Sequence, residues 1–207
     1  MRHKLWLSLL AFAALNGCAS MDKSQCLTAD WRTIGFEDGA SGKPETEISR
    51  YRQDCADHGV SPDLNAYRLG HRAGSENFCT QRNGFNVGLR GASYQGSCPA
   101  NLAEQFLSGY QDGQQLYGLQ QAVNNARSAI DRQHRQIKNV EKQIAIHTEL
   151  LVADGLVRDE RIRLLNEIEA LKAEHYDLIN LLPELEWQLQ NSEQQLQQGE
   201  QQFNAYR

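Results

Sequence analysis

The sequence has few aromatic residues, few prolines and no long apolar run. Phe, Trp and Tyr make up 8% of its 207 residues, which is little for one large hydrophobic core. No stretch of eighteen consecutive apolar residues occurs, so we expect no transmembrane helix. The formal net charge is −5, and a chain this acidic lacks the basic surface that nucleic-acid binding requires. The composition therefore predicts one or two modest domains without a nucleic-acid partner.

Residues 1–17 have the pattern of a secretory signal peptide. Three polar or basic residues at 2–4 precede an apolar segment at 5–15. The segment ends in Leu15-Asn16-Gly17-Cys18, which resembles the bacterial lipobox. In lipoproteins of that kind the cysteine thiol, here that of Cys18, is acylated and becomes the mature N-terminus. The N-terminus therefore predicts a lipoprotein.

A Cys18 anchor would attach the chain to a membrane through fatty-acyl groups such as palmitate. Several acyl chains together anchor a protein stably, whereas a single chain binds only marginally. Residues 18–25 would then be a short lipidated tether. Ala19 and Ser20 follow the cysteine instead of aspartate, which by resemblance to sorting rules in enteric bacteria favours the outer membrane. We expect a periplasm-facing protein there.

The four other cysteines predict two disulfides. An even number of cysteines is typical of exported proteins in an oxidising compartment. Zinc is the competing use, but no Cys-x-x-Cys motif and no histidine at ligand spacing is present, so we expect neither metal nor cofactor. Three pairings are open, and helix direction favours Cys26–Cys55 and Cys79–Cys98.

The composition changes near residue 115. Residues 26–115 contain all four of these cysteines and most of the glycines, whereas residues 116–207 contain no cysteine and a single proline. Caps and prolines in the first part predict several short helices, with a glycine-rich loop from 83 to 99 before the last one. We therefore expect a small disulfide-stapled helical domain at 26–115, followed by a long helical segment.

A weak repeat of glycines four residues apart runs through the first part. Such glycines share one helix face and let another backbone approach closely. The repeat predicts close helix packing, or alternatively a glycine-floored ligand groove lined by Trp31, Tyr67, Phe85 and Tyr94. Its copies are Trp31-x-x-x-Gly35-Phe36-x-x-Gly39, Tyr67-x-x-Gly70-His71-x-x-Gly74, Gly84-Phe85-x-x-Gly88 and Phe106-x-x-Gly109-Tyr110-x-x-Gly113.

The ordered motifs of residues 18–118 resemble a bacterial lipoprotein family called domain of unknown function 2799. The resemblance implies an envelope lipoprotein and carries no catalytic residues over to this chain. It rests on Cys26…Asp30-Trp31-Arg32-x-x-Gly35-Phe36-x-Asp38-Gly39-x-x-Gly42, Tyr51…Cys55, Pro62-Asp63…Tyr67-x-x-Gly70-x-x-x-Gly74…Phe78-Cys79 and Asn83-Gly84-Phe85-x-x-Gly88-x-x-Gly91-x-x-Tyr94-x-Gly96-x-Cys98-Pro99.

Residues 116–207 have the apolar spacing of a coiled coil. Apolar residues alternate by three and four from 116 to 151 and again from 157 to 203, with turn residues near 153–156. Residues 116–152 carry five basic and three acidic groups, and residues 157–207 carry five basic and ten acidic groups. These opposite charges favour an antiparallel hairpin over a parallel self-associated coil. Folding about Asp154–Gly155 would place His134 opposite His175 and Gln133 opposite Tyr176, each within a residue or two, with Pro183 bending the second helix.

No set of residues in the sequence predicts catalysis. Asp38 and Asp112 precede glycines of the repeat and could form the paired carboxylates of one cleft, but adjacent acids at helix ends are usually solvated. We therefore expect a non-enzymatic protein whose hairpin docks a protein partner in a structural or adaptor role. The alternative is a periplasmic binding module for glycan or peptidoglycan fragments on the aromatic and glycine surface of residues 31–98.

Overall fold

The computed structural model describes residues 20–206, so the predicted signal peptide and Cys18 lie outside the described residues. All regular secondary structure in the described part is helical, which confirms the predicted all-α fold class. The helices are α1 (Lys23–Thr28), α2 (Trp31–Ala40), α3 (Ile48–Ala56), α4 (Leu64–Phe78), α5 (Gln81–Leu89), α6 (Ala100–Leu151) and α7 (Arg158–Gln202), with 3-10 turns at Glu45–Glu47 and Asn204–Tyr206.

The chain divides into two compact units between Asn77 and Phe78. The composition change near residue 115 falls inside α6, which continues without a break from Ala100 to Leu151. The first unit therefore contains α1 to α3 and nearly all of α4, and the second contains α5, α6, α7 and the C-terminal turn.

Aspartate side chains cap two of the short helices. The carboxylate of Asp30 accepts the amide hydrogens of Arg32 and Thr33 at the start of α2. Asp63 does the same at the start of α4, with distances of 3.0 Å to two backbone nitrogens. These bonds satisfy amide groups that have no partner within the helix.

The core of the first unit is aromatic and includes a disulfide. Cys26 and Cys55 are bonded, with their Cα atoms 5.6 Å apart, and both are buried. This is the pairing that helix direction favoured. The residues buried together are Cys26, Trp31, Ile48, Tyr51, Cys55 and Tyr67.

Helices α2 and α4 cross with their backbones in direct contact. The contact requires glycine because a Cβ atom at any of four positions would overlap a carbonyl oxygen of the facing helix. Gly35 faces the carbonyl of Tyr67, Gly39 that of His71, Gly70 that of Arg32 and Gly74 that of Phe36. The glycine repeat therefore specifies close helix packing.

The second unit contains the same crossing between α5 and α6. Part of the predicted glycine-rich loop, residues 83–89, is helical instead, because Thr80 caps α5 and its glycines pack against α6. Gly84 faces the carbonyl of Phe106, Gly88 that of Tyr110, Gly109 that of Gln81 and Gly113 that of Phe85. The glycines at 84 and 88 therefore mark a helix–helix contact and not a loop.

The second disulfide lies beside this crossing. Cys79 and Cys98 are bonded with a Cα–Cα distance of 5.6 Å, again as favoured from the sequence. The backbone amide of Cys98 donates to the hydroxyl of Tyr94 at 2.9 Å, and the side-chain amide of Gln105 donates to the carbonyl of Cys79 at 3.0 Å. The disulfide and the Tyr94 bond therefore fix the C-terminal part of the loop between α5 and α6.

Helices α6 and α7 form the predicted antiparallel hairpin. They are joined by residues 152–157, where Gly155 takes a positive φ of 85° that favours glycine. The guanidinium of Arg161 donates to the carbonyl of Leu151 at 2.7 Å and closes the turn. Helix α7 continues through Pro183. Buried residues recur along the seam at Leu116, Val123, Gln133, Ile137, Val140, Leu164 and Ile168.

The predicted pairing of His134 with His175 is wrong. The imidazole of His175 lies 3.1 Å from the carboxylate of Glu141, two helical turns closer to the tip than His134. The predicted position of Gln133 is confirmed to within two residues, because its side-chain amide donates to the carbonyl of Leu178, two residues after Tyr176, at 2.7 Å.

Candidate functional site

The predicted aromatic ligand surface is largely core. Tyr67 is fully buried, and Trp31 and Phe85 are nearly so. Trp31 and Tyr67 pack in the first unit, whereas Phe85 packs with Leu116 and Phe203 in the second. The glycines that were expected to floor a groove are covered by facing backbone. These side chains therefore stabilise two cores instead of lining one groove.

The fourth predicted surface residue, Tyr94, is only half-buried. Its ring packs 4.7 Å from that of Phe106, and its hydroxyl is bound by the amide of Cys98. Both groups that could meet a ligand are thus occupied by the protein. Tyr94 holds the disulfide loop.

Asp38 is the centre of a buried polar cluster in the first unit. Its carboxylate accepts hydrogen bonds from the hydroxyl of Tyr67 at 2.9 Å and that of Tyr51 at 3.2 Å. Lys43 donates to the same carboxylate at 2.8 Å from a half-exposed side chain. A buried carboxylate needs such donors because burial of an unpaired charge is costly.

The cluster shifts the proton affinity of its members. Burial, followed by the nearby carboxylate of Asp38, raises the pKa of Tyr67 and of Tyr51 above the ordinary tyrosine value. The hydrogen bond to Asp38 raises the pKa of Lys43. All three groups are therefore held in their protonated forms at neutral pH, which suits a structural network better than acid–base chemistry.

His71 and Ser75 lie next to the cluster but are not arranged for nucleophilic catalysis. The hydroxyl of Ser75 donates to the backbone carbonyl of His71 at 2.8 Å, and its oxygen lies 3.4 Å from Nδ1. The Nε2 atom of His71 is 2.8 Å from the carbonyl of Lys43, which makes it the donor. Both side chains are buried, so they connect α4 to the segment after α2.

A cleft of about 700 Å³ opens beside this cluster. Its volume is in the range of small-molecule sites. Asp38, Tyr51 and Lys43 form its polar wall. Lys43 was not predicted as a site residue, because nothing in its spacing marks it in the sequence. The remaining lining residues are Ser20, Met21, Gln25, Thr28, Ala29, Ile34, Glu37 and Ser41.

Asp112 occupies the position in the second unit that Asp38 occupies in the first, one residue before a packing glycine. Its carboxylate accepts a 2.6 Å hydrogen bond from the hydroxyl of Tyr206. The side-chain amide of Gln81 donates to that same hydroxyl at 2.9 Å. Asp38 and Asp112 each accept hydrogen bonds from tyrosine hydroxyls of their own unit. These bonds, and not a carboxylate pair, account for both side chains.

The hairpin tip exposes apolar side chains. Val152 and Val157 flank the turn and are 75% and 60% exposed. Leu150, at the end of α6, is also exposed. Exposed apolar groups at the end of a helical arm are typical of a docking surface when they cluster.

A second apolar surface lies on α7 away from the seam. We call it the lateral stripe and define it as Tyr176, Ile179, Pro183 and Trp187. Tyr176 is 68% exposed and Trp187 is 60% exposed. At about 100° per residue the four positions fall within about 80° of the helix circumference. The sequence carries this signal as a second three-four spacing, one or two residues after the seam positions.

Residues 20–206 contain neither a candidate membrane span nor a candidate metal site. None of the helices there is long and apolar enough to cross a bilayer. The same residues contain no group of three or more His, Cys, Asp or Glu side chains placed to bind a metal ion.

Residues 20–206 thus define an all-helical protein with two glycine-mediated helix crossings, two disulfides and a long helical hairpin. Residues 30–115 match the family model described as Protein of unknown function (DUF2799). The match confirms the resemblance predicted from the glycine, tyrosine and cysteine spacing. No curated protein and no solved structure matches the chain.

Proposed function

We propose that this chain is a lipid-anchored envelope protein with a structural adaptor role, and that its hairpin tip docks a protein partner. The observation that carries the proposal is the exposed apolar tip, with Val152 and Val157 on either side of the turn. Helix α6 has 52 residues and is therefore about 78 Å long, so the tip is well separated along the chain from the disulfides.

The hairpin arm is suited to presenting its tip. The seam buries apolar residues along both helices, and the Arg161 bond to the carbonyl of Leu151 fixes the turn. A preorganised surface loses little conformational freedom on binding, which favours affinity. Val152 and Val157 supply apolar area that gains free energy when a partner covers it.

The membrane part of the proposal rests on the N-terminal sequence. An acylated Cys18 is eight residues before Cys26, so the tether would hold the first unit close to the bilayer. Ala19 after that cysteine favours the outer membrane, and the disulfides are compatible with an oxidising compartment. We propose that the folded chain faces the periplasm.

The test is in-cell photo-crosslinking from the tip. A photoreactive residue at Leu156 should give one discrete heterologous protein adduct, identified by mass spectrometry. The double variant Val152→Asp/Val157→Asp should lose that adduct while keeping its helical circular dichroism. A probe at the exposed Gln195 is the matched control and should not give it. An adduct that persists in the double variant, or no adduct from a folded protein, would contradict the adaptor proposal.

The cleft of the first unit supports a second candidate function, the binding of a glycan or peptidoglycan fragment. Its polar wall of Lys43 and Tyr51 and its apolar side at Met21 and Ile34 match the mixed character of sugars. Isothermal titration with muropeptides tests it. Lys43→Ala should weaken binding, whereas the hairpin variant Val152→Asp/Val157→Asp should bind as the wild type does.

A further inference from the structure

We infer that the lateral stripe of α7 docks a basic amphipathic helix of a partner protein. This inference deepens the proposed adaptor role and rests on it, but it uses a surface other than the tip. Tyr176 and Trp187 are the residue types that most often dominate binding energy at interfaces. They lie three turns apart on one face of a helix, with Ile179 and Pro183 between them.

The spacing of the stripe fits a helix as the occupant. Its positions are separated by three, four and four residues, which is the pattern by which one helix packs along another. An incoming helix with apolar residues at the same spacing would contact all four side chains at once. Helix-in-groove recognition uses anchors at these intervals.

Pro183 adds a polar group to the stripe. Proline has no amide hydrogen, so the carbonyl of Ile179, four residues earlier, lacks its α-helical donor. A backbone acceptor without its usual partner gains from any donor that reaches it. A lysine or arginine side chain of the docked helix supplies such a donor beside the apolar contacts.

The charge that α7 itself places around the stripe indicates that the partner helix is basic. Residues 173–206 contain six acidic residues and neither lysine nor arginine. Asp177, Glu184 and Glu186 are all exposed next to the stripe. A partner with lysine or arginine beside its apolar positions would be attracted, and an acidic one would be repelled.

The same charges argue against two other occupants. In a symmetric dimer of stripes, each acidic border would meet the acidic border of the second copy, since a two-fold interface brings the same patch together. An anionic lipid surface would likewise be repelled by these carboxylates. A basic protein helix is the occupant that avoids both penalties.

The inference is tested first with purified protein and synthetic peptides. A helical peptide of leucine at three-four spacing with lysine elsewhere should bind, and its counterpart with glutamate in place of lysine should not. Tyr176→Ser/Trp187→Ser should weaken binding of the lysine peptide at least tenfold, and Glu184→Lys/Glu186→Lys should do so as well. Equal binding of the lysine peptide to wild type and to both variants would overturn the inference.

Two controls separate this inference from its alternatives. The tip variant Val152→Asp/Val157→Asp should bind the lysine peptide normally, so failure at the stripe and failure at the tip give different results. Analytical ultracentrifugation should show no self-association that Trp187→Ser abolishes; a dimer lost in that variant would mean that the stripe holds a second copy and would overturn the inference.

The natural partner is tested by photo-crosslinking in cells with the probe at Asn180, which is exposed on α7 between Ile179 and Pro183. The adduct should map to a helical segment rich in lysine or arginine and should disappear in Tyr176→Ser/Trp187→Ser. An adduct on an acidic segment, or on lipid, would contradict the proposed occupant. Because the tip probe is at Leu156, an adduct from Asn180 alone would support the stripe while the tip proposal fails.

Discussion

The ring of Tyr206 stacks on the ring of Phe85, with centroids 4.3 Å apart and planes parallel within 1°. Its hydroxyl donates to Asp112, so the C-terminal turn is attached to both α5 and α6. Phe203, three residues earlier, is buried against the same aromatic group. The end of α7 is therefore held at the helix crossing of the second unit by both apolar and polar contacts.

Two substitutions at Tyr206 should destabilise the second unit to different extents. Tyr206→Phe loses the hydrogen bond to Asp112 and should cost about 1 kcal/mol. Tyr206→Ala also loses the stack on Phe85 and should cost about 2–3 kcal/mol in total. Urea denaturation measures both. Gln201→Ala, at an exposed position of α7, is the control and should change the free energy of unfolding by less than about 0.5 kcal/mol. Equal stability of Tyr206→Ala and wild type would show that the contact is not maintained in solution.

The glycines of one helix should respond in opposite ways to the same substitution. Gly113→Ala places a Cβ atom against the backbone carbonyl of Phe85 and should cost about 2–4 kcal/mol, because two backbones must separate. Gly118→Ala, on the same helix, meets nothing within 4 Å and should stabilise by about 0.5–1 kcal/mol through helix propensity. Thermal unfolding followed by circular dichroism compares the two. Similar effects of both substitutions would rule out the close crossing of α5 and α6.

The contrast between these glycines shows what sequence reasoning could and could not reach. The spacing of Gly109 and Gly113 predicts that another backbone comes close, and this is correct. It does not say which copy of the repeat is the partner, so the aromatic residues beside the glycines could be assigned either to a groove or to a core. Tyr67 is buried because α2 covers it, and that pairing is a tertiary fact.

The hairpin was more predictable than the cluster around Asp38. Three-four spacing, turn residues at 153–156 and opposite charges all indicate two antiparallel helices, and each is a local pattern. The Asp38 cluster instead joins residues separated by 13 and 29 positions, and no periodic pattern links them. The partner of His175 also escaped prediction, because it is Glu141 instead of His134.

The carboxylate of Asp38 should contribute to the folding stability of the first unit. Asp38→Ala leaves the buried hydroxyls of Tyr51 and Tyr67 without their acceptor and should cost about 2–4 kcal/mol. Glu37→Ala, one residue earlier and exposed, should be nearly neutral. Denaturation of the two variants side by side measures the difference. If Asp38→Ala unfolds at the same urea concentration as Glu37→Ala, the carboxylate does not organise the cluster.

Stability should fall at alkaline pH. The pKa values of Tyr67, Tyr51, Tyr206 and Lys43 are raised in the folded state by burial of the tyrosines and by hydrogen bonds to Asp38 and Asp112. A group whose folded pKa is raised stabilises the protein below its unfolded pKa, and that contribution is lost as pH rises towards the folded pKa. Unfolded tyrosine and lysine titrate at about pH 10, so the loss of stability should begin there.

Urea denaturation between neutral pH and the alkaline range tests this dependence. Tyr67→Phe removes one of the groups concerned and should make the decline with pH shallower than in the wild type. The part of the tyrosinate absorbance that Tyr67→Phe removes should rise together with unfolding rather than before it. Titration of all tyrosines in the folded protein at their ordinary pKa would contradict the buried network.

The proposed membrane anchor is tested at Cys18 and Ala19. Metabolic labelling with an alkyne fatty acid should modify the wild type, and Cys18→Ala should abolish the label, because the thiol of Cys18 is the proposed site of acylation. Ala19→Asp should keep the label and move the protein from the outer to the inner membrane fraction of a density gradient, whereas Ala19→Ser should leave it in the outer one. Label retained by Cys18→Ala would exclude this anchor, and equal fractionation of the two Ala19 variants would remove the argument for the outer membrane while leaving the acylation intact.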